Sequence, residues 1–150
     1  MAKEKTVKPS RPPRSPHKPR HAPKPRKVTI SQLKKKLWKL CRELTIKKYG
    51  NTCYTSGQQN LTGANLHCGH FIPSSLCSVA IRYDLRNLRP QSYVENIHHS
   101  GNPHEFRRRL IRDNGKKYVD QLEQDNRDTK GKQFDSLWYL SKIEEYKQLL

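Results

Sequence analysis

Apolar residues are scarce in this chain. Only 32% of its 150 residues are hydrophobic, enough for one modest core. Runs of about 18 or more apolar residues are missing, which argues against a membrane-spanning helix. The basic N-terminus lacks the apolar stretch of a signal peptide, so the expected location is intracellular, in the cytoplasm, with no membrane partner. Acidic side chains are short as well: 13 Asp and Glu stand against 31 Lys and Arg, a formal charge of +18. Such an excess repels itself unless the working partner is a polyanion, and nucleic acid is the obvious candidate. The four cysteines, Cys41, Cys53, Cys68 and Cys77, are too few for a disulfide scaffold, and none forms a CxxC pair. A complete zinc ribbon is therefore not written in the sequence.

What is present divides into two parts. Residues 1–27 hold ten Lys and Arg, one Glu and seven of the ten prolines. With no apolar period to bury, this segment is expected to be a disordered basic arm that tethers DNA. Residues 28–150 carry 21 basic and 12 acidic side chains and should form one folded domain.

From Ser31 to Tyr49, residues Leu33, Leu37, Leu40 and Leu44 recur at helical spacing, with Ser31 placed to cap the helix and Gly50 to stop it. The other face carries Lys34, Lys35, Lys36, Lys39, Lys47 and Lys48, which are either solvated or laid along a phosphate backbone. Residues 51–89 are rich in Gly, Asn, Ser and Thr and predict short strands and loops, with brief apolar pieces at 66–72 and 79–81. Helices are predicted again at 103–114, where Gly115 is the stop, at 117–124 and at 135–150, where Trp138 reads as core. The class is α+β.

The residues able to carry chemistry crowd between His67 and Asn102: HCGHF at 67–71, DLRN at 84–87 and ENIHHSGN at 95–102. Hydrolysing a phosphodiester near neutral pH needs a base to activate water, a divalent cation to stabilise the leaving oxygen, and groups to hold both. A His, two metal ligands and a positioning Asn suffice.

These segments resemble the HNH (ββα-metal) endonucleases, and within them the Rap/NinG recombination endonucleases of lambdoid phages. The resemblance runs from about Thr52 to Gln124. It rests on C-x-x-S-G at 53–57, G-H-F at 69–71, R-x-D-x-R-N at 82–87 and N-x-H-x-S-G-N at 96–102. It implies a small ββα-metal core at about 52–113, flanked by the helix at 31–49 and the helices within 117–150. His70 takes the place of the general base, and Asn87 that of the residue pinning the loop that orients it. Asn96 falls where a metal ligand sits, His67 is the candidate second ligand, and His98 matches a His of the relatives. His99, without a counterpart, is a further candidate for the metal shell or the scissile phosphate.

The relatives carry two CxxC pairs that bind structural zinc, but here those positions hold Cys53 and Ser56, then Ser92 and Glu95. Structural zinc is therefore not expected, and the helices at 31–49 and 135–150 are expected to supply the missing stability. Amide oxygen and imidazole suit a hard, exchangeable ion, Mg2+ or Mn2+. Arg107, Arg108, Arg109 and Arg112, with Arg82, Arg86, Lys34, Lys35 and Lys36, are expected to contact phosphate, which positions DNA without reading its sequence.

By this resemblance the activity is a metal-dependent endonuclease on branched DNA, such as Holliday junctions or D-loops, leaving 5′ phosphate and 3′ hydroxyl. Cutting a four-way junction symmetrically calls for two active sites, so a homodimer is one arrangement, with the last helix either its seam or an intramolecular lid. Two rivals stay open on the residues alone. One is a non-catalytic basic nucleic-acid-binding protein; the other is an HNH nicking or packaging nuclease acting on duplex DNA.

Overall fold

The computed structural model describes residues 28–150, so the basic arm at 1–27 lies outside the described residues. Those residues form an α+β fold in the order α1 (Ile30–Tyr49), β1 (Leu66–His70), α2 (Val79–Arg82), β2 (Leu88–Ser92), α3 (Pro103–Asn114), α4 (Lys116–Thr129) and α5 (Ser136–Lys147). Single 3-10 turns at Gly63–Asn65 and Leu85–Asn87 lead into the strands, and a π-helical turn at Val94–His98 follows β2. No helix among the described residues is long and apolar enough to cross a membrane.

Thr29, not Ser31, caps α1. Its hydroxyl accepts from the Gln32 amide, and the Gln32 side chain accepts from the Thr29 amide, a reciprocal box that satisfies two otherwise orphaned donors. Gly50 ends the helix at φ 72°. Leu33, Leu37, Leu40, Cys41 and Leu44 bury against Leu88 and against Tyr139, Ile143 and Tyr146 of α5. The Tyr146 hydroxyl donates to the Tyr83 carbonyl at 2.7 Å. The apolar face of α5 is thus spent within the chain, although Leu137 and Leu140 remain exposed. A second core joins Phe71, Ile81, Phe106, Leu110, Val119 and Leu122, seating α2, α3 and α4 under the loop that leaves β1.

Residues 79–81 are helical, not extended. Ser78 accepts from the Ile81 amide at 3.2 Å and starts the short α2. α4 runs past residue 124 to Thr129, because pairs such as Gln121–Asp125 and Gln124–Asp128 support the extra turn.

The second strand, LRPQS at 88–92, shows no alternation because all five residues are buried. It pairs antiparallel with β1, setting Gly69 opposite Arg89 and His70 opposite Leu88. Gly69 is a packing requirement, since a Cβ there would fall 1.8 Å from Gln91 Oε1. Gln91 cannot swing aside freely, because its buried Nε2 donates to Thr55 Oγ1 at 3.0 Å and to the Gly101 carbonyl at 2.8 Å.

Arg89 is buried without a carboxylate partner among the described residues. Its guanidinium lies over the Tyr49 ring at 4.2 Å and near the Tyr54 ring at 5.3 Å. Nη1 donates to the Leu88 carbonyl at 2.7 Å and to the Arg86 carbonyl at 3.3 Å. One side chain therefore ties the end of α1, the 53–57 turn and the Leu85–Asn87 turn together.

Candidate functional site

His70 ends β1. Its Nε2 is 3.1 Å from the Arg82 carbonyl, an acceptor only, so Nε2 carries the proton and Nδ1 keeps the lone pair. The imidazole stacks on Trp38 of α1, with ring centroids 5.1 Å apart and 7° between planes. Burial, and then the Arg82 charge, hold the His70 pKa below the ordinary imidazole value against the opposing pull of the carbonyl bond. Burial and that charge both favour the neutral ring.

Asn87 is fully buried in the turn before β2. Its Oδ1 accepts from the Ile72 amide at 2.7 Å, and Nδ2 donates to the carbonyls of Ile72 and Ile81 at 3.2 and 3.3 Å. Its own carbonyl accepts from the Phe71 amide at 2.8 Å. The two residues after His70 are thus fastened to this one side chain and its backbone.

Asn96, on the π-helical turn, reaches His67 on β1, with Nδ2 2.9 Å from His67 Nδ1. His67 Nε2 is bonded to the Ala64 carbonyl at 3.1 Å, which leaves Nδ1 as the acceptor. Rotating the Asn96 amide by half a turn exchanges its nearly isosteric N and O. An imidazole nitrogen and an amide oxygen would then stand about 3 Å apart, the spacing of neighbouring ligands on an octahedral ion with bonds of about 2.1 Å. After that rotation the pair would suit a hard divalent cation.

His98 is not brought to that pair. Its exposed ring stands edge-on to Tyr93 at 5.3 Å, and Tyr93 meets His67 at 5.4 Å. Among the described residues no three His, Cys, Asp or Glu side chains gather into a metal-binding group. His99 turns the other way, with Nδ1 2.9 Å from Glu95 Oε1.

A depression of about 410 Å³ is bordered by Trp38, His70, Ser74 and Asn96, so the candidate base and one candidate ligand line the same space. Another of about 370 Å³ adds Lys34, Lys35 and Arg82 around Trp38 and His70. Trp38 and Tyr93 escaped the sequence reading. The available signal was an aromatic set among the lysines of α1, off the leucine stripe.

The positions of the missing zinc cysteines do converge. Cys53 Sγ accepts from the Ser92 amide at 3.2 Å and lies 3.7 Å from Ser92 Oγ. Ser92 Oγ in turn accepts from the Glu95 amide at 3.3 Å. The Glu95 carboxylate is occupied by His99 and by Asn102 Nδ2 at 2.8 Å. Burial opposes ionisation of Cys53, yet hydrogen bonds from Ser56, Ser92 and Thr55 hold its thiol down to about 7. One sulfur, two hydroxyls and an engaged carboxylate do not fit structural zinc, which favours nitrogen and sulfur.

The basic residues divide unexpectedly. On α3, Arg107 pairs with Glu123 at 3.3 Å, Arg108 and Arg109 share Glu105 at 2.7 and 2.5 Å, and Arg112 holds Asp113 at 2.6 Å. Arg86 forks between Asp84 and Asp125. Each of these guanidiniums therefore faces a carboxylate, although Arg108 and Arg112 stay largely exposed. Arg82 donates to the Ser74 carbonyl. By contrast, Lys34, Lys35, Lys36 and Arg42 on α1 have no carboxylate partner among the described residues.

The fold and site define an α+β protein in which two antiparallel strands and a following helical turn carry His70, Asn87 and Asn96 on one module. Residues 1–150 match the family described as Bacteriophage Lambda NinG protein, and the chain belongs to that family of phage proteins. No curated protein and no solved structure matches it.

Proposed function

We propose that this chain is a divalent-metal-dependent DNA endonuclease of the HNH type that acts on branched recombination intermediates. The observation that carries this reading is His70: a half-buried imidazole with Nε2 anchored to a backbone carbonyl, its pKa held below the ordinary value, lining the same depression as Asn96. Membership of a phage family, and the cationic face of α1 beside that depression, which meets no carboxylate among the described residues, support DNA as the substrate.

His67 Nδ1 and Asn96 Oδ1 would hold the metal. When bound, the ion supplies charge neutralisation at the scissile phosphate and the leaving oxygen. His70 Nδ1 takes a proton from water, the water oxygen bonds to phosphorus, and the P–O3′ bond breaks. The 3′ oxygen leaves and is protonated by solvent, giving 5′ phosphate and 3′ hydroxyl. Trp38 and the Arg82 carbonyl hold the imidazole plane and tautomer, while Asn87 fixes the backbone that follows it. Lys34, Lys35 and Lys36 bind phosphates along the duplex arm without reading bases.

The test is cleavage of a labelled four-way junction and of matched linear DNA with Mg2+ or Mn2+, by the wild type and by His70→Ala. Metal-dependent cutting of the junction that the substitution removes while binding persists is the expected result. Tight, salt-sensitive binding with no cutting by either form would replace this reading with a non-catalytic binder.

A further inference from the structure

Beside the His67–Asn96 pair opens a depression of about 780 Å³. α1 contributes Trp38 and Arg42, the segment entering β1 contributes Asn65 and His67, and the residues after β2 contribute Tyr93 and Asn96. None of its lining residues is acidic. Tyr93 remains 43% exposed although its ring touches both His67 and His98. An open Tyr93 ring, a half-buried Trp38 and an arginine that meets only the Leu66 carbonyl at 3.4 Å are what a single-stranded nucleic acid recognises: π-faces for bases and a cation for the backbone. A peptide cation would find no carboxylate here.

We infer that this depression receives an unpaired nucleobase from the strand held at His67 and Asn96, stacked on Tyr93 with Trp38 walling the opposite side and Arg42 against its phosphate. The inference rests on the proposed nuclease reading for where the strand lies. A base inside a duplex must break its pair and stack to enter, whereas a nucleotide at a branch point has already given up much of both. The pocket therefore selects DNA structure over sequence, and it does so at the cutting site itself. Stacking needs no hydrogen-bond pattern, so all four bases are admitted.

The experiment places 2-aminopurine in turn at each nucleotide flanking the branch of a four-way junction, and at the matched positions of linear duplex. Fluorescence is read as the full chain binds in the presence of chelator, so that no strand is cut. One flanking position should change its fluorescence in the junction and none in the duplex. Tyr93→Ala and Trp38→Ala should each remove the change and weaken junction binding roughly tenfold, the size of one lost base–aromatic stack. Circular dichroism checks that the variants fold. Tyr93 can be truncated without opening a core, so it remains decisive if Trp38→Ala unfolds. No change at any position, a change that Tyr93→Ala retains, or no junction binding by the wild type would each overturn the inference. Cleavage is not part of the readout: a stacking signal without cutting would remove the nuclease reading alone, and cutting without the signal would remove this one alone.

Discussion

The indole of Trp38 lies parallel to the imidazole of His70, 5.1 Å between centroids, while the far nitrogen of that imidazole is tied to the Arg82 carbonyl. A ring fixed on one face and at one nitrogen has little freedom left, and small misplacements of a catalytic group are costly. Trp38→Ala should therefore lower kcat of junction cleavage by roughly tenfold to a hundredfold, and Trp38→Phe should restore most of it. Single-turnover rates at saturating DNA measure this. Equal rates for all three proteins would show that the stack positions nothing.

The same burial sets a pH dependence. The His70 pKa lies below the ordinary value of about 6.5, so on the proposed reading cleavage should persist at pH 7 and fall only as pH drops through that lower value. The stability contribution has a definite sign. A histidine held neutral by burial stabilises the fold fully above about pH 6.5, and that contribution is lost as pH falls through its folded-state pKa. Trp38→Ala, by letting water in, should move the acid limb of the rate profile upward. A downward shift would contradict the assignment of burial as the cause.

Gly69 and Gln91 are coupled across the sheet. Gly69→Ala should destabilise the protein by about 1–3 kcal/mol through overpacking, since the added Cβ meets Gln91 Oε1 at 1.8 Å. Adding Gln91→Ala should recover part of that loss. Urea melts of the two single variants and the double variant form the cycle; strict additivity would mean that the contact does not govern Gly69.

Cys53 and Ser92 place sulfur and oxygen 3.7 Å apart, close to the separation of about 3.8 Å between two thiolates on one tetrahedral zinc with bonds of about 2.3 Å. The variant Ser56→Cys, Ser92→Cys, Glu95→Cys should gain one tightly bound zinc and a higher Tm that chelator reverses. Metal analysis after dialysis decides it. No retained zinc would mean that the turn has drifted from metal-binding geometry.

DNA affinity should follow α1 more than α3. Replacing Lys34, Lys35 and Lys36 with Ala removes up to three phosphate contacts and should flatten the log–log salt dependence of binding by up to about 2.7. Replacing Arg107, Arg108 and Arg112 should change it far less, because their charges already face carboxylates. The opposite ranking would move the DNA to the α3 face.

How much of this was legible in the sequence depended on whether the signal was local. The leucine stripe of α1 and the Pro103 start and Gly115 stop of α3 are written in neighbouring residues, and the α+β class followed. β2 was harder, because a strand buried on both faces shows no alternation. The short α2 was mistaken for extended chain because three apolar residues carry no period. In the site, motif spacing singled out His70, Asn87, Asn96 and His67, and the fold brings the last two into contact. It could not show that Tyr93 stands between His67 and His98, or that Glu105, Asp113 and Glu123 lie beside the arginine row. Those facts depend on which side chains meet across turns and helices.

Arg89 has a consequence for how the protein is made. A guanidinium cannot be chelated, oxidised or exchanged for a competing metal, and it is present from the moment its codon is read. The cross-tie it forms with Tyr49, Tyr54 and the carbonyls of Arg86 and Leu88 thus assembles without waiting on the supply of any ion. On the proposed reading, the divalent cation is left with chemistry alone, so withdrawing it should silence the enzyme and leave the scaffold standing, ready to be switched on again.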